Sequence, residues 1–311
     1  MRFSIDPWDP GYGGALDPEM PPSDAKVVVD VELPPAEWQP IHPPVPTIAP
    51  DAVVFVDGVR RIDARTWVHV GPGRSEPGIF ASYAAGAVRC DGSAQLVDAC
   101  VGRLLAAPVA DAAAVTTRHA TFEPVEARDA SPASLMYAVH EVMAEAEVLV
   151  AERTRRATDE LLLLDGPLRK RGHIPDAVGL IKSHYVRYLG DTALNTVVDR
   201  LLPGERTPIF RIEAQPFARA SWYLRLPGAA DAPWAGILRC EASGALPIEQ
   251  LSALADRVTV MLPRFASQPH KDARAPQNLY PIAGLERELR RRMGDTRLLY
   301  RALRAAAATA A

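Results

Sequence analysis

Two stretches of this chain close an apolar run with an aspartate and a glycine. In Glu160-Leu161-Leu162-Leu163-Leu164-Asp165-Gly166-Pro167-Leu168, four leucines precede the acid, the pattern of a strand buried on both faces that stops in a turn. Ala52-Val53-Val54-Phe55-Val56-Asp57-Gly58 repeats the design far upstream. A carboxylate leaving such a strand is costly unless it caps the turn or faces a cation. Neighbouring strands of this kind would bring Asp57 and Asp165 to one sheet edge, which is how a divalent-metal site is often built. Taken singly, each Asp-Gly also reads as an ordinary turn.

A third acid lies between them. Ser131 as N-cap and Pro132 at the first helical position open a helix that the pattern carries to about Ala157. Leu135, Val139, Val142, Ala146 and Leu149 recur at helical spacing and define its expected core face, whereas Glu141, Glu145 and Glu152 form a solvated stripe. Glu147 lines up with Met143 and Val150 beside the core face. Its two readings are a metal or catalytic ligand and a half-buried acid paired with an arginine.

Around these acids the expected frame is an α/β fold. Strands at 52–57, 65–70 and 78–90, with Gly71-Pro72-Gly73 as a turn, make an antiparallel meander, followed by a short helix over 93–106. Ala177–Ile181 leads into Lys182-Ser183-His184, a cation at a strand exit; strands at 207–214, 221–226 and 236–240 and a helix over 248–261 follow. Arg169, Lys170 and Arg171 put positive charge just beyond Asp165, where a phosphate backbone would lie; the plainer reading is a solvated loop. His270, Lys271 and Asp272 sit in a polar, Pro-punctuated loop, and Glu286 and Glu288 in a closing helix. Core packing is the expected role of Trp222, Tyr223 and Trp234.

Composition narrows the class. With 48% hydrophobic and 23% charged residues the chain is a soluble globular protein, and its net charge of −3 leaves nucleic-acid binding to local patches. Cys90, Cys100 and Cys240 are far apart, which speaks against zinc and for a reducing compartment. With neither a membrane span nor a signal peptide in evidence, the cytoplasm is the expected location. Twelve of the 29 prolines fall in the first fifty residues, yet Phe3, Trp8, Tyr12 and Trp38 are interleaved with them. Residues 1–50 therefore read as an ordered Pro-rich arm with a strand at 26–32, ahead of one domain over 51–304 and a frayed Ala-rich tail at 305–311.

The order of Val56-Asp57-Gly58, a long helix with a glutamate, Leu163-Leu164-Asp165-Gly166-Pro167-Leu168, a strand ending at Lys182, and Asn278-Leu279-Tyr280-Pro281 before a helix resembles the NurA family of DNA-end-processing nucleases. The resemblance covers about residues 50–300. It implies a ribonuclease-H-like mixed sheet with an antiparallel meander, flanked by helices. It also implies Mn²⁺-dependent (or Mg²⁺-dependent) cleavage of DNA ends, a homodimer, and a partnership with a HerA-type hexameric ATPase. Asp57 and Asp165 match the family's strand-end ligands, and Glu147 its helix acid, with Glu145 and Glu152 as rivals. Either Asp272 or Glu286 would complete the set, and Lys182 matches the strand-end lysine. Arg169, Lys170, Arg171, His270 and Lys271 would meet DNA. Two alternatives stand beside this: a nuclease-like binding module of a motor ATPase, and an RNase-H-like enzyme on RNA or hybrids.

Overall fold

A computed structural model describes residues 23–154, 159–168, 171–190, 193–213, 217–228, 234–272 and 274–310. The strands are β1 (Lys26–Val28), β2 (Val53–Gly71), β3 (Arg74–Cys90), β4 (Ala94–Ala107), β5 (Val115–Thr116), β6 (Thr121–Glu126), β7 (Leu161–Asp165), β8 (Ala177–Ile181), β9 (Phe210–Glu213), β10 (Arg219–Arg225) and β11 (Ile237–Ser243). The helices are α1 (Pro132–Thr154), α2 (Ala193–Arg200), α3 (Ile248–Met261), α4 (Tyr280–Arg292) and α5 (Thr296–Ala310). The chain divides into two units, one of Met1–Phe55, Arg89–Ala94 and Arg155–Ala283, the other of Val56–Val88, Gln95–Thr154 and Gly284–Ala311. The class is mixed α/β, mostly antiparallel, with flanking helices.

In the first unit the strands lie in the order β1-β9-β10-β11-β8-β7. All pair antiparallel except β7 and β8, which run parallel with Asp165 opposite Leu180. The four leucines of β7 are buried, as a strand covered on both faces requires. Its first residue donates N–H to the carbonyl of Ala52 at 3.1 Å, so β7 starts beside the start of β2. Trp38 packs on Phe210 with ring centroids 6.4 Å apart, in a cluster with Tyr223, Trp234 and Val198. Trp222, Tyr223 and Trp234 are thus core residues.

In the second unit the order is β2-β3-β4-β6-β5. Consecutive neighbours joined by two- or three-residue turns, as β2, β3 and β4 are, must run antiparallel. Side chains of a strand alternate between faces, and the packing follows that period. Ile79, Ala81, Leu104 and Ala106 meet Leu135, Ala138 and Val139 of α1, whereas Phe80 and Leu105 meet Phe122 and Leu303 of α5.

Three local expectations are corrected. The segment 93–106, expected as a helix, is strand β4; Asp91-Gly92-Ser93 is the turn into it, and Asp-Gly between apolar runs is a hairpin signal. The expected strands 52–57 and 65–70 are one 19-residue strand, so Asp57-Gly58 lies inside β2 and not at an exit. The core face of α1 is rotated: Met143, Glu147, Val150 and Ala151 are buried, Val142 is only partly so, and Leu149 is 54% exposed. Ser131 caps α1 as expected, its Oγ accepting from the N–H of Ser134. Residues 155–157 of the expected helix lie outside the described residues, as do Phe3, Trp8 and Tyr12.

Candidate active site

The second unit gathers acids around β2. Asp57 is buried, and its Oδ1 accepts from the N–H of Gly58 at 2.7 Å. Glu147 reaches the same strand from α1: a Cβ built on Gly58 would stand 2.3 Å from Glu147 Oε1 and 3.0 Å from Met143 Cγ. Glycine here is therefore demanded by the close approach of helix to strand, a common reason for glycine inside a strand. The helix acid is buried with only 5% of its surface exposed, although a carboxylate has no packing reason to be there.

Glu286 arrives from α4, which seats Leu285 and Leu289 over the small-residue run Ala84-Ala85-Gly86-Ala87 of β3. One carboxylate oxygen of Glu286 lies within 4.8 Å of one of Asp57. Two carboxylates so close repel one another, and a cation between them would offset that repulsion. Of the two acids expected to complete the set, Glu286 is the one brought to Asp57. The rivals are placed elsewhere. Glu145 and Glu152 are exposed, and hydrogen bonds from Arg291 and Arg292 hold the carboxyl of Glu288 down at about 2.

The first unit supplies a second acid with a built support. Asp165 ends β7, and Gly166 turns the chain away at φ 84°, a conformation that suits glycine. The ammonium of Lys182 donates to Asp165 Oδ2 at 2.6 Å and to Asn278 Oδ1 at 2.8 Å. Asn278 is fully buried, and its Nδ2 donates in turn to Asp272 Oδ2 at 2.8 Å. Asp272 thus acts on Lys182 through Asn278. The turn after Asp165 is fixed by two further contacts. Arg171 is buried and donates to the carbonyls of Asp165 and Pro167, so this member of the basic loop is turned inward. Glu241 accepts from the N–H of Leu168 at 3.2 Å. Burial pushes the Glu241 carboxyl up, but Arg239 and Arg219 outweigh it and leave it lowered.

His184 is buried, its Nε2 3.2 Å from the carbonyl of Ile237, and desolvation lowers its pKa to about 4, so the ring is neutral at pH 7. His270 and Lys271 are exposed, with the Lys271 ammonium 5.4 Å from the centre of the Tyr280 ring. Arg169 and Lys170 lie outside the described residues. Sequence reasoning counted Asn278 in the family motif without giving it a task, and it passed over Glu241. The sign that could have found Asn278 is an Asn in a polar loop with no turn glycine to explain it.

The donors are carboxylate oxygens, the set that hard divalent cations prefer. A mixed α/β chain so equipped is a candidate for metal-assisted hydrolysis. A family model, the NurA domain, matches residues 52–291, and the chain belongs to the NurA family. The family consists of metal-dependent nucleases, hydrolases that act on DNA. No curated protein matches the chain. Among the described residues, no helix is long and apolar enough to cross a membrane.

Gly58→Ala is the cleanest check on the helix acid. The added methyl must displace Glu147 or Met143, so nuclease activity should fall about tenfold or more, with a stability loss of about 1–3 kcal/mol. Cleavage and urea denaturation measured on one preparation separate the two effects. Native activity in Gly58→Ala would remove Glu147 from the site.

Proposed function

We propose that this chain is a two-metal phosphodiesterase that processes DNA ends. Asp57, Glu147, Glu286 and Asp165 would hold Mn²⁺ or Mg²⁺. Asp165 joins the other three through membership of the NurA family, whose strand-end ligands Asp57 and Asp165 resemble. When bound, such ions supply Lewis-acid chemistry: they offset charge on the phosphoryl oxygens and make a water more acidic. The chain's own residues do the positioning. Lys182 has three N–H groups; two go to Asp165 and Asn278, and the third is directed to a phosphate oxygen of the substrate. Asn278, locked by Asp272, keeps that ammonium from following the phosphate.

One observation carries this reading: a close carboxylate pair, the buried Asp57 and the half-buried Glu286, in a chain of a nuclease family. Family membership also supports the finer parts of the proposal. These are a ribonuclease-H-like frame, a cytoplasmic homodimer, and a HerA-type hexameric ATPase that feeds DNA to it in end resection. The test is digestion of end-labelled linear DNA in Mn²⁺, in Mg²⁺ and in chelator, with and without the ATPase. Metal-dependent loss of label is the expected result. Cleavage that persists in chelator would overturn the metal reading, and none under any condition would leave a binding module.

A further inference from the structure

Beside Asp165 the first unit contains a cleft of about 510 Å³, whose lining includes Asp165, Lys182, Tyr185, Tyr188, Arg219 and Arg239. We propose that this cleft receives one unpaired nucleotide at the end of a DNA strand, with Tyr185 as its stacking platform. The inference rests on the nuclease reading above and names the part of the substrate that reading leaves open.

The volume is that of a small-ligand site and suits one nucleotide, not a stacked duplex. The lining is cationic on balance, with Lys182, Arg219 and Arg239 against the carboxylate of Asp165. Glu241 offsets part of that charge from behind, through its ion pairs with both arginines, and thereby fixes the two guanidinium groups in place. The Arg239 guanidinium also lies over the Tyr188 ring, 4.6 Å from its centre.

Tyr185 differs from the aromatics around it. Tyr223 and Trp234 are buried in the core, whereas Tyr185 is 61% exposed at the cleft. It follows Lys182 by three residues, so the chain segment that carries the phosphate contact also carries the ring. A base stacked on Tyr185 would leave its phosphodiester towards Lys182 and Asp165. A base within a duplex already has both faces covered and must be extracted at a cost; a frayed or single-stranded end has no such cost. The cleft would thus select unpaired termini.

The experiment uses the full chain in chelator, so that nothing is cleaved. Binding of a fluorescein-labelled ten-residue oligothymidylate is measured by anisotropy beside a blunt duplex, for the native protein, Tyr185→Ala and Tyr185→Trp. Stacking on one ring is worth roughly 5- to 100-fold in affinity. Tyr185→Ala should lose about that much on the single strand and less than about twofold on the duplex; Tyr185→Trp should retain native affinity. Three results would overturn the inference: no single-strand binding by the native protein, native affinity in Tyr185→Ala, or equal loss on both probes. Mn²⁺ cleavage by the native protein is scored separately. Absent cleavage with a Tyr185-dependent affinity sinks the nuclease reading alone, whereas cleavage with an indifferent Tyr185 sinks the cleft alone.

Discussion

Asp165→Asn is expected to lower metal-dependent cleavage of linear DNA on the order of a hundred- to a thousandfold, the scale seen when one preorganised charge-stabilising group is lost. Asparagine keeps an oxygen where Lys182 now donates at 2.6 Å, so the side chain and its turn can stay in place. What disappears is the negative charge. For stability, the ammonium of Lys182 loses its ion partner but keeps hydrogen-bond acceptors in the new amide and in Asn278. The melting transition should therefore move little while activity collapses. Asp272→Asn is the informative companion. Its carboxylate reaches Lys182 only through Asn278, so its effect should be smaller and should fall on substrate affinity before turnover. End-label release at saturating and limiting DNA distinguishes the two. Native cleavage by Asp165→Asn would remove Asp165 from the site.

The largest effect on stability should come from Arg206→Met. Only 1% of the Arg206 side chain is exposed. Its guanidinium donates twice to Glu32 at 2.8 Å and once to Asp256 at 2.7 Å. Methionine fills the space but leaves the buried Asp256 and the half-buried Glu32 without their cation, a change that typically destabilises by about 3–5 kcal/mol. The pH dependence follows from the same cluster. Burial pushes Glu32 up, but hydrogen bonds and charge from Arg206 outweigh burial and hold it below its ordinary 4.5. A carboxyl lowered in the folded state contributes stability that is fully present above about pH 4.5 and is lost as pH falls through the folded value. In Arg206→Met the hydrogen bond and charge of Arg206 no longer lower Glu32, so the variant should lose less between pH 5 and 3 than the native chain does. Urea denaturation at pH 7, 5 and 3 measures both effects. Native stability of the variant at pH 7 would show the cluster to be dispensable.

The elements that carry the candidate site were partly legible because their signals are local. The bounds of β7 and α3 follow from an unbroken apolar run and from helical spacing, and Glu147 was recognised because Met143 and Val150 share its stripe. Errors arose where tertiary pairing overrode local preference. The small, Ala- and Val-rich segment that became β4 has helical propensity, but pairing beside β3 decides its state. Asp57-Gly58 imitates a turn because glycine serves two purposes, and only the helix packed above it shows that close approach is the one at work. Contacts between distant residues left no local trace. Lys182 and Asn278 are 96 residues apart and Arg206 and Glu32 are 174 apart. No spacing rule could have paired them.

The unbroken run of β2 past Asp57 also governs where the gene can change length. Side chains alternate from face to face, so one residue inserted between Val53 and Asp57 would present the acid to the opposite side, away from Glu286. The same insertion at Pro72-Gly73, between β2 and β3, lengthens an exposed loop tip and leaves every register upstream intact. Indels should accumulate at that tip and be purged before it, and the tip is where a peptide tag or fluorophore could be grafted without touching the acids.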